Sequence, residues 1–317
     1  MQTDPTIDRP DEKNKPIQSF KERKLMIDSI KYVNEVVIYE TEKDLYTYLK
    51  KHPDIYFPNF KEPHFFGSDL IRKNGAYDLS QKDYNDLFST NKKIIGEAST
   101  FYIFSKKSAQ EIYNHNPKAK IIIMIRNLVD LVHSLHAQFI FSGDEIVEDF
   151  SKALDLEKSR LNGKNIPKQT TIVNKLYYTT NILSIPNNIK SYIDLFGIEN
   201  IRFIHLDEIK TNPRKVYKDT LDFLNVDSGF EIDTFKAINK NKVYKYRIIR
   251  DLLKKYSILL GKLRSLIIKK PLGFVKFFEN LNLKEQKRLD ISKDLYEKLI
   301  NKLSKTEIEI NDIINKR

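Results

Sequence analysis

Ile121-Ile122-Ile123-Met124-Ile125-Arg126-Asn127-Leu128-Val129-Asp130-Leu131-Val132-His133-Ser134 decides the fold. The first five residues form an unbroken apolar run behind Asn116-Pro117, the pattern of a buried parallel strand, and after Arg126 the apolar period becomes helical. A guanidinium at the carboxyl end of such a strand stands where open α/β sheets bind ligands, beside a helix N-terminus that favours anions. The stretch outlines a phosphate site on Arg126. The same pattern also occurs where the arginine only pairs with a surface carboxylate, so other parts of the chain must decide between the two.

Working outward, Val36-Val37-Ile38, Lys93-Ile94-Ile95-Gly96-Glu97 and Ile201-Arg202-Phe203-Ile204-His205-Leu206 read as further strands. Residues 42–51 read as a helix with Leu45, Tyr48 and Leu49 inward, and residues 105–115 as another. Strands alternating with helices predict an α/β fold, a parallel sheet covered on both faces. The expected organisation is a polar, proline-bearing arm over residues 1–30, an α/β domain over 31–228 and a helical C-terminal extension over 229–317 packed onto it.

The chain has 317 residues, 31% of them charged, with no apolar run near the ~20 residues that cross a bilayer and no signal-like opening. A cytoplasmic protein is expected. The absence of cysteine excludes disulfides, thiolate metal sites and a cysteine nucleophile. Of six histidines only His133 and His136 are close at helical spacing, with no carboxylate in a zinc spacing, so no metal is expected.

The net charge of +12 is concentrated in residues 239–270, where eleven Lys or Arg face one acid, Asp251. Such a stretch serves a polyanionic substrate, nucleic acid or, by peripheral contact, a membrane surface. Leu252, Leu253, Tyr256, Leu259, Leu260, Leu263 and Ile267 recur at helical spacing, so an amphipathic helix docked on a core explains it equally well. No nucleic-acid motif accompanies the charge, and no nucleic-acid partner is expected.

Several separate pieces then point the same way: His52-Pro53-Asp54-Ile55, Lys61-Glu62-Pro63-His64-Phe65-Phe66-Gly67, Gly96-Glu97-Ala98-Ser99-Thr100, the run from Ile125-Arg126-Asn127 to His133-Ser134-Leu135, Gly163-Lys164-Asn165-Ile166-Pro167 and Tyr192-Ile193-Asp194-Leu195-Phe196-Gly197. In order and spacing, over about residues 33 to 226, they resemble the PAPS-dependent sulfotransferases, in particular bacterial relatives of the heparan sulfate and other carbohydrate sulfotransferases.

The resemblance implies a P-loop-like central parallel sheet flanked by helices. It also implies transfer of a sulfuryl group from PAPS (3′-phosphoadenosine 5′-phosphosulfate), the co-substrate, to a hydroxyl or amine of a glycan or similar acceptor, without a metal. Arg126 and Ser134 match the family's 3′-phosphate ligands, which suits a forked cation and a hydroxyl two helical turns later. Glu62 matches the general base, and among Pro63, Phe65 and Phe66 it is expected to be buried enough to raise its pKa. Lys61 and His64 would orient the acceptor or steady developing charge. Read singly, Glu62 pairs with Lys61, His64 is a satisfied loop histidine and Ser134 bonds its own helix backbone.

The family's donor loop, Gly-x-Pro-Lys-x-Gly-Thr-Thr-Ser, is not reproduced. Tyr39 falls at its lysine, Thr41 at its second glycine, Glu42 and Lys43 at its threonines, and Leu128 replaces a usual proline further on. Glycines let backbone N–H groups approach an anion, and Glu42 would repel a phosphosulfate that Lys43, one turn on, attracts. Two readings follow: an active sulfotransferase with an altered donor loop, and a sulfotransferase-fold protein that binds nucleotide or glycan without transfer.

Overall fold

The computed structural model describes residues 44–232, 242–244, 246, 282–285 and 290–315. The expected arm over 1–30, the strand Val36-Val37-Ile38, the donor-loop positions up to Lys43 and the basic helix over 252–267 lie outside the described residues. In chain order the elements begin α1 (Asp44–Leu49), β1 (Ile55–Tyr56), α2 (Gln81–Asp86), β2 (Ile94–Ile95), α3 (Ser108–His115), β3 (Ile121–Ile125) and α4 (Leu128–Ser142). They continue with α5 (Phe150–Asp155), α6 (Glu157–Leu161), α7 (Tyr178–Phe196), β4 (Ile201–His205), α8 (Leu206–Thr211), α9 (Pro213–Leu224), β5 (Lys242–Tyr244), β6 (Leu283–Glu285) and α10 (Lys293–Asn315).

The architecture is α/β, a central parallel sheet flanked by helices with a helical C-terminal extension. β1 and β2 are parallel, Ile55 opposite Ile94, and β3 neighbours β4. By its contacts the chain divides into two compact units.

Among described residues, unit 1 holds 44–57, 91–96 and 204–232. Leu45, Tyr48 and Leu49 of α1 are buried, as their spacing predicts, and α1 packs on α9, whose Val216, Tyr217, Leu221 and Leu224 form a buried stripe. His52 is buried; its Nδ1 accepts from Asp54 N–H at 3.1 Å, which leaves Nε2–H to donate to the Asp227 carbonyl at 2.9 Å. A side chain at Gly96 would run into the ring of Phe57, which explains the glycine that opens the Gly96-Glu97-Ala98-Ser99-Thr100 piece.

Unit 2 holds 58–90, 97–203 and the described residues beyond 241. Its hub is α7, where Tyr178, Ile182, Ile185, Ile189, Tyr192 and Phe196 recur every three or four residues and are all buried. α3, α4 and α10 pack around it, and Leu299, Leu303 and Ile310 bring α10 into the same core. Each such leucine contributes ~1.5–3 kcal/mol by burial, enough to fasten the extension to the unit.

Two elements differ from expectation. The helix expected over 105–115 is present but starts at Ser108, after a separate 3₁₀ turn, Thr100–Phe104, because the Ser105 hydroxyl accepts from the N–H groups of Lys107 at 3.1 Å and Ser108 at 2.9 Å. Beyond residue 230 the chain is not wholly helical: β5 and β6 pair antiparallel, Val243 opposite Lys284, before α10. Strands of three residues leave no readable period beside a run of lysines.

Candidate active site

The loop over residues 61–67, in unit 2, has a backbone that few side chains tolerate. Glu62 and His64 both have positive φ, 50° and 45°, and Gly67 follows at 80°. Non-glycine residues in this region cost of order 1–3 kcal/mol each and persist where the surroundings over-determine them. At Gly67 a side chain would also crowd Leu70 Cδ1 at 2.9 Å and Ser105 Oγ at 3.1 Å.

That backbone brings the two chemical groups together. Nε2 of His64 is 3.3 Å from Oε2 of Glu62, and the Thr100 hydroxyl donates to the same oxygen at 3.2 Å. The expected burial of Glu62 is not met: its side chain is 42% exposed, while that of His64 is 1% exposed. Pro63 and Phe66 turn inward, leaving the carboxylate open to an incoming molecule and the imidazole enclosed. The rings of Tyr77, Phe101 and Tyr102 stand edge-on around His64, at 4.8, 5.9 and 6.2 Å between centroids.

A second carboxylate, Glu97, organises the floor of the loop. Its oxygens accept from the hydroxyls of Ser99 at 2.5 Å, Tyr102 at 2.6 Å and Tyr84. Each hydroxyl has one proton to give, and giving it to Glu97 leaves the oxygen of Ser99 to accept from His64 N–H at 3.0 Å and that of Tyr102 from Phe66 N–H at 3.2 Å. Burial first, and then the charge of Glu97, push the phenols of Tyr84 and Tyr102 far above their ordinary range, so both keep the donor proton. Glu111 accepts from Gly67 N–H at 2.7 Å and from Ser68 N–H at 3.2 Å. Phe65 stacks on Tyr84 at 4.1 Å.

Below His64 lies a buried pair, Lys175 and Asp144, 2.7 Å apart, with Lys175 about 5.8 Å from the Tyr77 ring. Asp144 also accepts from the N–H and the hydroxyl of Thr171, both at 2.7 Å. The adjacent Glu145 grips Arg160 through two bonds, 2.6 and 2.9 Å, and accepts from Tyr178 at 2.9 Å. Burial acts to raise the Glu145 pKa, and the Arg160 guanidinium together with the N–H groups of Val147 and Ile146 outweighs it and holds the carboxyl low.

At the β3–α4 junction the strand, the arginine and the helix follow one another as expected, although of the strand only Ile123 is buried and Met124 is exposed. Arg126 follows β3 directly with its Nε and Nη1 atoms buried, and Asn127 caps α4, its Oδ1 accepting from Val129 N–H at 3.0 Å and Asp130 N–H at 3.1 Å. Ser134 is half-buried on α4. A forked cation at a strand end beside a capped helix N-terminus fits an anionic phosphate. Lys61 is exposed at the mouth of the base loop, and Lys43 lies outside the described residues.

The structure thus brings Glu62 and His64 into contact and places Arg126 at the β3–α4 junction and Ser134 further along α4 in the same unit. Sequence reasoning did not assign Arg72, Tyr84, Glu97, Thr100, Tyr102 or Glu111. Glu97, Ser99 and Thr100 were visible as a motif, but only the fold shows that their side chains meet the base loop. Among the described residues no group of His, Asp and Glu is placed to hold a metal ion, and no helix is long and apolar enough to cross a membrane.

A family model described as "Sulfotransferase domain" matches residues 106–247. Mouse carbohydrate sulfotransferase 15 is 23% identical over 231 residues, which is 58% of this chain and 41% of that protein. The membrane-associated sulfotransferase kil1 of Dictyostelium discoideum is 34% identical over 83 residues, 26% of this chain and 17% of that protein. The chain therefore spans less than half the length of these curated relatives. The crystal structure of a sulfotransferase from Alicyclobacillus acidocaldarius is 28% identical, with a TM-score of 0.53 over 76% of this chain and 97% of that one. Over residues 106–247 the chain is similar to the sulfotransferase domain, and its fold is similar to that of the Alicyclobacillus sulfotransferase.

Proposed function

We propose that this protein is a sulfotransferase that moves the sulfuryl group of PAPS onto a hydroxyl or amine of a glycan or similar acceptor. The observation that carries the reading is the Glu62 carboxylate, open to solvent on one side and fixed on the other by His64 Nε2 at 3.3 Å and the Thr100 hydroxyl at 3.2 Å. Glu62 takes the acceptor proton as the acceptor oxygen or nitrogen bonds to sulfur. The bond from sulfur to the bridging oxygen breaks, and its electron pair leaves with the 3′,5′-bisphosphate nucleotide. A positioned base of this kind contributes ~10²–10⁴ in rate.

Arg126 and Ser134 hold the 3′-phosphate in this reading, and Lys43 is the cation the sequence offers for the sulfuryl end. Lys61 faces the acceptor and His64 orients the base. No step calls for a metal. A glycan acceptor is supported by the mouse relative, which is named a carbohydrate sulfotransferase.

Incubation with ³⁵S-labelled PAPS and a panel of oligosaccharides and amino sugars tests this. The expected result is label on one acceptor with release of one bisphosphate nucleotide per sulfate. Tyr39, Thr41 and Glu42, standing where the family loop has lysine, glycine and threonine, favour a second reading, binding without transfer. Saturable nucleotide binding with no labelled acceptor selects that one.

A further inference from the structure

We infer that Arg72 is the positioning residue of the base loop, the group that holds His64 in its left-handed backbone and so, through His64 Nε2, aims the Glu62 carboxylate. The inference rests on the sulfotransferase reading for its catalytic meaning and on geometry alone for its structural meaning. Arg72 belongs to none of the sequence motifs. Its Nη2 donates to the carbonyls of His64 at 2.6 Å and Phe66 at 2.8 Å, and its Nη1 donates to that of Gly67 at 3.0 Å. Longer contacts reach Phe65 O at 3.3 Å and Leu70 O at 3.4 Å.

One planar fork thus gathers the carbonyls of the loop, while Ser99, Tyr102 and Glu111 accept the N–H groups of the same residues. Backbone groups taken from both sides are what a positive-φ residue such as His64 needs in order to persist. Arg72 is itself anchored. Its residue bridges Ile172, Lys73 N–H donates to Thr171 O at 2.8 Å, Val173 N–H donates to Ile71 O at 2.9 Å, and Ile71 N–H donates to Asn174 Oδ1 at 2.7 Å.

Among the described residues no carboxylate pairs with Arg72, so its donors are directed to the loop. Lysine keeps the charge but gathers its three donors on one nitrogen, without the planar fork that reaches the separate carbonyls of the loop.

The test compares wild type, Arg72→Ala and Arg72→Lys in the full chain. It measures backbone hydrogen exchange residue by residue, nucleotide affinity, and the kcat and KM of transfer. In both variants the amides of His64, Phe66 and Gly67 are expected to exchange at least ~10-fold faster while α7 exchanges as in wild type. Nucleotide affinity is expected to be unchanged, and kcat to fall ~10²-fold with little change in acceptor KM, the loss that follows a misplacement of about 1 Å.

Wild-type exchange in the loop of either variant overturns the inference, as does a variant with a loosened loop that transfers at the wild-type rate. Faster exchange throughout α7 in both variants also overturns it, because Arg72 is then a general stabilising residue. A loosened loop in the variants, with no transfer even by wild type, upholds the positioning geometry and instead removes the sulfotransferase reading.

Discussion

The two halves of the candidate site are held in opposite ways. At the β3–α4 junction the order is written locally, an apolar strand, then Arg126, then Asn127 capping N–H groups two and three residues ahead, with Glu307 as a distant partner of Asn127 at 3.4 Å. In the base loop Arg72 takes the carbonyls, while the N–H groups are taken from 35 to 44 residues away, by Ser99, Tyr102 and Glu111, and together they hold a backbone that its own residues disfavour. A site of the first kind forms wherever its short segment folds. A site of the second kind exists only when unit 2 is complete, so its chemistry is more exposed to changes at a distance.

The largest expected effect separates the two halves by chemistry. Glu62→Gln keeps the shape of the side chain and removes the base, so transfer should fall by ~10²–10⁴ with nucleotide affinity nearly intact. Steady-state rates beside a calorimetric titration check it, and a Gln variant that turns over normally moves the base elsewhere, with His64 the next candidate.

Arg126→Ala should do the converse. A charge-assisted contact of ~1.5–3 kcal/mol is lost, so nucleotide binding weakens by roughly ten- to a hundredfold while hydrogen exchange in the base loop is unchanged. Equal affinity in a folded variant would remove Arg126 from the nucleotide site.

Asn127→Ala probes the local half by stability. Loss of the cap should cost ~1 kcal/mol in denaturant unfolding, with faster exchange confined to the first turn of α4. Faster exchange spreading into residues 61–67 would break the division between the halves.

The smallest effect is a pH handle on α4. His136 is buried with Nε2 2.8 Å from Val147 O; burial lowers its pKa, against Glu145 and Asp149, which raise it, while Arg160 adds to the lowering. Below the ordinary histidine value of about 6.5 the unfolded chain takes up a proton that the folded chain refuses. Stability should therefore decline as pH falls from 6.5 toward the lowered value, by at most ~1.4 kcal/mol per pH unit, and the decline should flatten in His136→Gln. Parallel pH curves for the two proteins would contradict it.

These contrasts also explain what could be read in advance. β3 and α4 were legible because an apolar run and a change of period are written in consecutive residues. The inward face of α1 was legible for the same reason. Glu62 and His64 were recognised only through the resemblance of their loop to a family. Nothing local in Lys61-Glu62-Pro63-His64 shows that Arg72 gathers its carbonyls or that Glu97 orients the hydroxyls beneath it. The expected burial of Glu62 failed because neighbouring aromatic residues say that a loop packs, but not which of its side chains packs inward.

The central claim is that the Arg126 half of the site binds the nucleotide left after sulfuryl transfer. Isothermal titration of the wild-type chain with 3′-phosphoadenosine 5′-phosphate tests it most directly. The account predicts saturable binding of one equivalent, weakened in Arg126→Ala and preserved in Glu62→Gln. No saturable heat from the folded wild-type protein at millimolar nucleotide would contradict it.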